Sequence, residues 1–114
     1  MNITMPRGDI RPVSFTVTQA NGTDAGLEFD EIYFTVKSTF QDKSFLFQKR
    51  LGNGTITREP DGSYAFVIRP EDTDGLRVAK YVFDIELVLG SEIKQTTVGE
   101  LILTNEVTFA GNEG

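Results

Sequence analysis

Large apolar residues recur at every second position through most of this chain, and that period dictates what it can fold into. The clearest run sets Tyr81, Phe83, Ile85, Leu87 and Leu89 on one side and Lys80, Asp84 and Glu86 on the other. A helix would gather Tyr81, Asp84, Ile85 and Val88 on one stripe and bury Asp84, whereas an extended strand keeps the run's main apolar set on a single face. Val13, Phe15 and Val17 alternate in the same way with Ser14, Thr16 and Thr18, and Ile32, Phe34 and Val36 with Tyr33, Thr35 and Lys37. Tyr64, Phe66 and Ile68 share a segment with Ala65 and Val67, which is apolar on both faces and reads as a central strand.

The punctuation between these runs suits strands. Asn21-Gly22, Asn53-Gly54 and Asp61-Gly62 are turn dipeptides, because Asn, Asp and Gly tolerate positive φ. Phe45-Leu46-Phe47 and Thr55-Ile56-Thr57 read as short strands on either side of the second. Gly90 closes the Tyr81 run, which is the longest strand expected. Disturbed alternation around Gly99, ahead of Leu101-Ile102-Leu103, predicts a bulge there. Pro70 to Leu76 has room for a single helical turn. About seven to nine short strands, with turns every 8–12 residues, make an all-β antiparallel sandwich. Met1 to Arg7 and Ala110 to Gly114 are expected as loose ends of a single domain over 1–114, with its core over about 9–109.

Composition then excludes several function classes. Nine Phe residues in 114 supply a core that needs no covalent staple, each being worth about 1.5–3 kcal/mol when buried. Cysteine is absent, which removes disulfides and thiolate metal sites, and histidine is absent too. Ser–His and Cys–His nucleophiles and imidazole acid–base chemistry go with them. A carboxylate pair such as Asp84 and Glu86 is formally open to glycoside hydrolysis, but both alternate with core positions and read as a solvated sheet face. The chain is therefore expected to be no enzyme and to hold no cofactor. A net charge of −6 repels phosphate backbones and anionic bilayers, so neither nucleic acid nor membrane is an expected partner. No stretch approaches 18 apolar residues, and Met1 to Arg7 lacks the cationic and apolar regions of a secretory signal.

Three motifs invite sharper readings. Glu71-Asp72-Thr73-Asp74-Gly75 offers Asp72 and Asp74 as calcium ligands, but the further ligands of a helix-loop-helix site are missing; a capped turn, with Asp72 or Thr73 accepting free backbone N–H groups, accounts for it. Arg7-Gly8-Asp9 is the integrin-binding tripeptide; placed just before a strand, it reads as a turn bent at Gly8. Asn2, Asn21 and Asn53 each begin an N-glycosylation acceptor triplet, and the latter two are already explained as Asn-Gly turns.

Tyr81 narrows the fold further. In immunoglobulin-type sandwiches a Tyr near the start of strand F, two residues before a buried position, bonds back across the preceding corner. Tyr81 precedes Phe83 by two, with the 72–76 turn upstream, so the expectation is an immunoglobulin-like sandwich without the antibody disulfide or tryptophan. Three stretches together carry a resemblance: Arg7-Gly8-Asp9 leading into Val13-Ser14-Phe15-Thr16-Val17; Asp61-Gly62-Ser63-Tyr64 followed by Glu71-Asp72-Thr73; and Ala79 to Ile85, with a Thr97-Val98-Gly99-Glu100-Leu101 ending. In this order they resemble, over roughly residues 7–109, the N-terminal immunoglobulin-like domain of phage baseplate upper proteins and related prophage tail proteins. The resemblance implies a non-catalytic structural or docking module in a virion's host-adhesion apparatus, made in the host bacterial cytoplasm. Its implied partners are other tail or baseplate subunits, or further copies of the chain. The alternative is a bacterial surface or carbohydrate-binding sandwich, against which stands the absence of Trp.

Alternation also leaves Tyr33, Leu46, Val82 and Val88 facing outward, and these four are the expected contact residues. The core is expected to hold Phe15, Phe34, Phe66, Tyr81, Phe83, Ile85 and Leu87.

Overall fold

The computed structural model describes residues 1–17, 29–90 and 92–105. Within them the chain forms β1 (Asn2–Pro6), β2 (Arg11–Phe15), β3 (Glu31–Lys37), β4 (Phe47–Arg50), β5 (Ile56–Arg58) and β6 (Tyr64–Ile68). A helical turn α1 (Pro70–Thr73), β7 (Lys80–Leu89) and β8 (Glu92–Thr104) follow. The strands make two sheets, one ordered β1-β8-β7-β3-β4 and the other β2-β6-β5. That is the immunoglobulin order: β2, β6 and β5 stand as strands B, E and D, and β3, β7 and β8 as C, F and G, with β4 as C′. The expected all-β sandwich is present, and β6 is the centre of its smaller sheet.

Two corrections concern β1. Met1 to Arg7 is not a loose end: Ile3 and Met5 are buried in the core, and Asn2–Pro6 pairs with Glu100 to Thr104 of β8. This pairing is parallel, so the larger sheet is mixed rather than wholly antiparallel. The bulge also lies elsewhere. Leu87 pairs with Gln95 and Val88 with Ile93, so the extra residue of β8 is Lys94. Gly99 is needed for space instead: a Cβ there would collide with the Phe83 ring and the Met1 carbonyl. The longest strand is β8, not β7.

The core fills the space between the sheets. Phe34 of one sheet sits 4.3 Å from Phe66 of the other, ring centroid to centroid, and 5.1 Å from Phe83. Alternation along β3 puts Ile32, Phe34 and Val36 inward with no exposed surface. Phe66, Tyr81, Phe83, Ile85 and Leu87 are buried as expected. Phe15 is only half-buried: it closes β2 beside a cleft of about 360 Å³ that Val17, Ile85, Leu87 and Thr97 also line. Phe45 and Leu46 precede β4 rather than belonging to it, and both are exposed.

The Tyr81 hydroxyl donates to the Arg77 carbonyl at 2.7 Å, the corner bond that its position predicts. Asp61-Gly62 turns the β5–β6 hairpin, with the Glu59 N–H donating to Ser63. Asn53-Gly54 carries the chain from one sheet to the other. Asn21-Gly22 lies outside the described residues.

Candidate functional site

Among the described residues the connection between β6 and β7 gathers side-chain hydrogen bonds to β4, to the β1–β2 turn and to β7, and it organises one end of the sandwich. Pro70 starts the helical turn with φ already set, and Asp72 reaches back to accept the Arg69 N–H at 2.8 Å. The same carboxylate oxygen takes the Lys49 ammonium at 2.6 Å. Lys49 points inward from β4 and is buried, so this pair ties an edge strand to the turn. Thr73 is fully buried, and its hydroxyl accepts the Gly8 N–H at 2.8 Å, 65 residues away in sequence. Arg7 donates to the Leu76 carbonyl at 3.3 Å.

These bonds involve two of the sequence motifs. Arg7-Gly8-Asp9 is a turn, with Gly8 at φ 84°, whose arginine is folded onto the α1 segment rather than held out for a receptor. Asp72 already has a cation against it, which opposes calcium, while Asp74 is exposed. Among the described residues no group of three or more acidic side chains could hold a metal ion. Of the acceptor triplets, Asn53 caps its own turn by accepting from Thr55 and Asn2 accepts the Glu100 N–H. The Asn21 triplet lies outside the described residues.

The expected contact residues do not form a patch. Tyr33, Val82 and Val88 are half-buried on the outer face of the five-stranded sheet, each with charged neighbours. Val82 lies between Lys37 and Glu100, Val88 beside Glu31, and Tyr33 between Glu86 and Arg50, whose guanidinium covers its ring at 5.1 Å. Glu31 holds that guanidinium at 2.9 Å. Burial pushes the Glu31 carboxyl up, but the Gly52 N–H, Arg50 and the Ile32 N–H outweigh it and hold it below the ordinary range. Only Leu46 is truly exposed.

Leu46 belongs to a different surface. Strand register brings the β1–β2 turn, the β3–β4 connection and the α1–β7 connection to the same end of the sandwich: Pro6 pairs beside Thr104, Lys37 beside Val82, and Lys80 beside Ile102. Ile10, Phe40, Phe45, Leu46 and Val78 stand in these three connections and are between 40% and 61% exposed. Of the large apolar side chains exposed among the described residues, only Met1 and Val98 lie elsewhere. The β3–β4 connection is braced from within, with Lys37 donating to the Asp42 carbonyl and Asp42 accepting the Thr39 N–H. The sequence assigns Phe45 to a short strand that the structure starts only at Phe47, and the only signal for Phe40 is an aromatic in a polar stretch that keeps no period.

A second concavity, of about 270 Å³, lies on the outer sheet face beside this connection. Asp84 and Glu86 of β7, Tyr33 and Thr35 of β3 and Gln48 of β4 line it together with the exposed Phe45. Gln48 donates to the Thr35 hydroxyl at 2.9 Å. Burial pushes the Asp84 carboxyl up, with Lys37 opposing the shift.

Fold and surface together define a class: an immunoglobulin-ordered β-sandwich with a braced, apolar-tipped end. No family model, curated protein or solved structure matches the chain.

Proposed function

We propose that the chain is a non-catalytic docking module of a phage or prophage tail or baseplate, carried in the virion and engaging neighbouring subunits through the braced end. The observation that carries this reading is the gathering of Ile10, Phe40, Phe45, Leu46 and Val78 in three connections at one end. Scattered surface hydrophobes are common on monomers, but a concentration of them in loops held by internal hydrogen bonds is what a protein-binding surface requires. Preorganisation by the Asp72, Thr73 and Tyr81 bonds lowers the ordering entropy that docking must overcome. The resemblance of the Gly8-Asp9, Asp72-Thr73 and Tyr81-to-Ile85 stretches to phage baseplate domains supports the setting, and symmetric adhesion devices repeat such contacts.

The test mixes the purified chain with the products of neighbouring tail genes and measures mass by light scattering after size exclusion. A complex at tens of micromolar that Phe40→Ser dissolves is the expected result. A chain that stays monomeric with every neighbour, or a complex indifferent to Phe40→Ser, overturns the reading.

A further inference from the structure

The geometry points to a second binding site, which adjoins the docking end and shares Phe45 with it, in the concavity on the outer face of β3, β4 and β7: a subsite for a neutral pyranose unit of a saccharide. Its charges set the ligand class. Asp84 and Glu86 share its lining with Lys37 and Lys43, two acids with two bases, so neither an anion nor a cation is favoured. What remains is a surface offering both acceptors and donors at close spacing, which suits a ligand dense in hydroxyls.

Five local features fit such a ligand. No hydrogen bond from the described residues reaches the Asp84 carboxylate, which leaves its oxygens free to accept from two adjacent hydroxyls. Asp84 and Glu86 alternate along one strand, about 7 Å apart by strand rise, roughly the width of one sugar ring. The Gln48 amide is fixed by its bond to Thr35, so its carbonyl oxygen is presented without further ordering. The Phe45 ring, 52% exposed in the groove lining, supplies a flat apolar face for the C–H side of a pyranose, while one face of Tyr33 is already occupied by Arg50. A volume of about 270 Å³ accommodates one ring rather than an extended chain.

The experiment is an amide NMR titration of the ¹⁵N-labelled chain with glucose, galactose and N-acetylglucosamine, alongside glucuronate and glucosamine as charged counterparts. At least one neutral sugar is expected to saturate with a dissociation constant on the order of 1–10 mM, moving the amides of Thr35, Gln48 and Asp84. Asp84→Asn, on an outward position that leaves the core intact, is expected to weaken it about tenfold. No saturation by about 100 mM with any neutral sugar overturns the proposal. So does tighter binding of a charged counterpart, or an affinity that Asp84→Asn leaves unchanged. Because Phe40 lies outside the groove lining, Phe40→Ser leaves this titration intact, which separates failure here from failure of the docking reading.

Discussion

Replacing Tyr81 by Phe removes one oxygen and tests the corner that joins β7 to the α1 segment. The ring itself is buried and its packing survives the substitution, so no transfer or cavity term arises. What is lost is the 2.7 Å bond from the hydroxyl to the Arg77 carbonyl. A typical net hydrogen bond contributes about 0.5–1.5 kcal/mol. Arg77 is exposed, so water can reach its freed carbonyl, which sets the expected cost near 1 kcal/mol. Over 114 residues at about 2.1 cal/mol/K each, the unfolding entropy is ~0.24 kcal/mol/K, so Tm should fall by about 4 °C. In urea the midpoint should drop by about 0.3–1 M with an unchanged slope. Arg77→Ala is the control: the acceptor is a backbone atom, so that variant should match the wild type. A Tyr81→Phe midpoint within error of wild type, or an Arg77→Ala loss of the same size, refutes the corner as a stabilising device.

Gly99→Ala should destabilise by about 3 kcal/mol or more in the same assay, since its Cβ meets the Phe83 ring and the Met1 carbonyl; Phe83→Leu in that background should recover part of the loss. Lys49→Met should cost about 2–4 kcal/mol by leaving the Asp72 carboxylate half-buried without its cation, and adding Asp72→Asn, which keeps an acceptor for the Arg69 N–H, should restore most of it. Asp84→Asn should raise Tm at pH 7. Burial lifts the folded pKa of Asp84, so the stability linked to it is full below the unfolded value near about 3.9 and is lost as pH rises through the folded one. The gain should therefore vanish in scans near pH 3, and a gain independent of pH would contradict this linkage.

Much of the sandwich was legible because β3 and β7 carry their own alternation and announce their inner faces without reference to any partner, while β6, apolar on both faces, announces a central position. β1 was not legible, since Ile3 and Met5 are only two apolar positions before Pro6, and their burial depends on a strand that lies far along the chain. Gly99 shows a different limit. A glycine in a strand signals either a backbone irregularity or a lack of room, and only the position of Phe83 decides which. The bulge at Lys94 has no residue signature at all. For the candidate surfaces, alternation correctly turned Tyr33, Val82 and Val88 outward but could not reveal the charged cross-strand neighbours that break them up. Phe40, Ile10 and Val78 sit where no period operates, Phe45 lies just outside the strand its alternation suggests, and it is the register of distant strands that brings their loops to one end.

The parallel ladder between β1 and β8 also determines how the domain bears load. Asn2 pairs beside Glu100 and Pro6 beside Thr104, so tension transmitted through Asn2 and Thr104 pulls the two strands in opposite senses along their own axis. The inter-strand hydrogen bonds then lie across the force and are strained together in shear, whereas an antiparallel hairpin pulled from its open end is unzipped one bond at a time. Ile3 and Met5, keyed into the core, must be dragged past their neighbours before the ladder can slip. Resistance to stretching is thus concentrated in a five-residue clasp, and its lifetime under load is set by the rate of unfolding rather than by equilibrium stability.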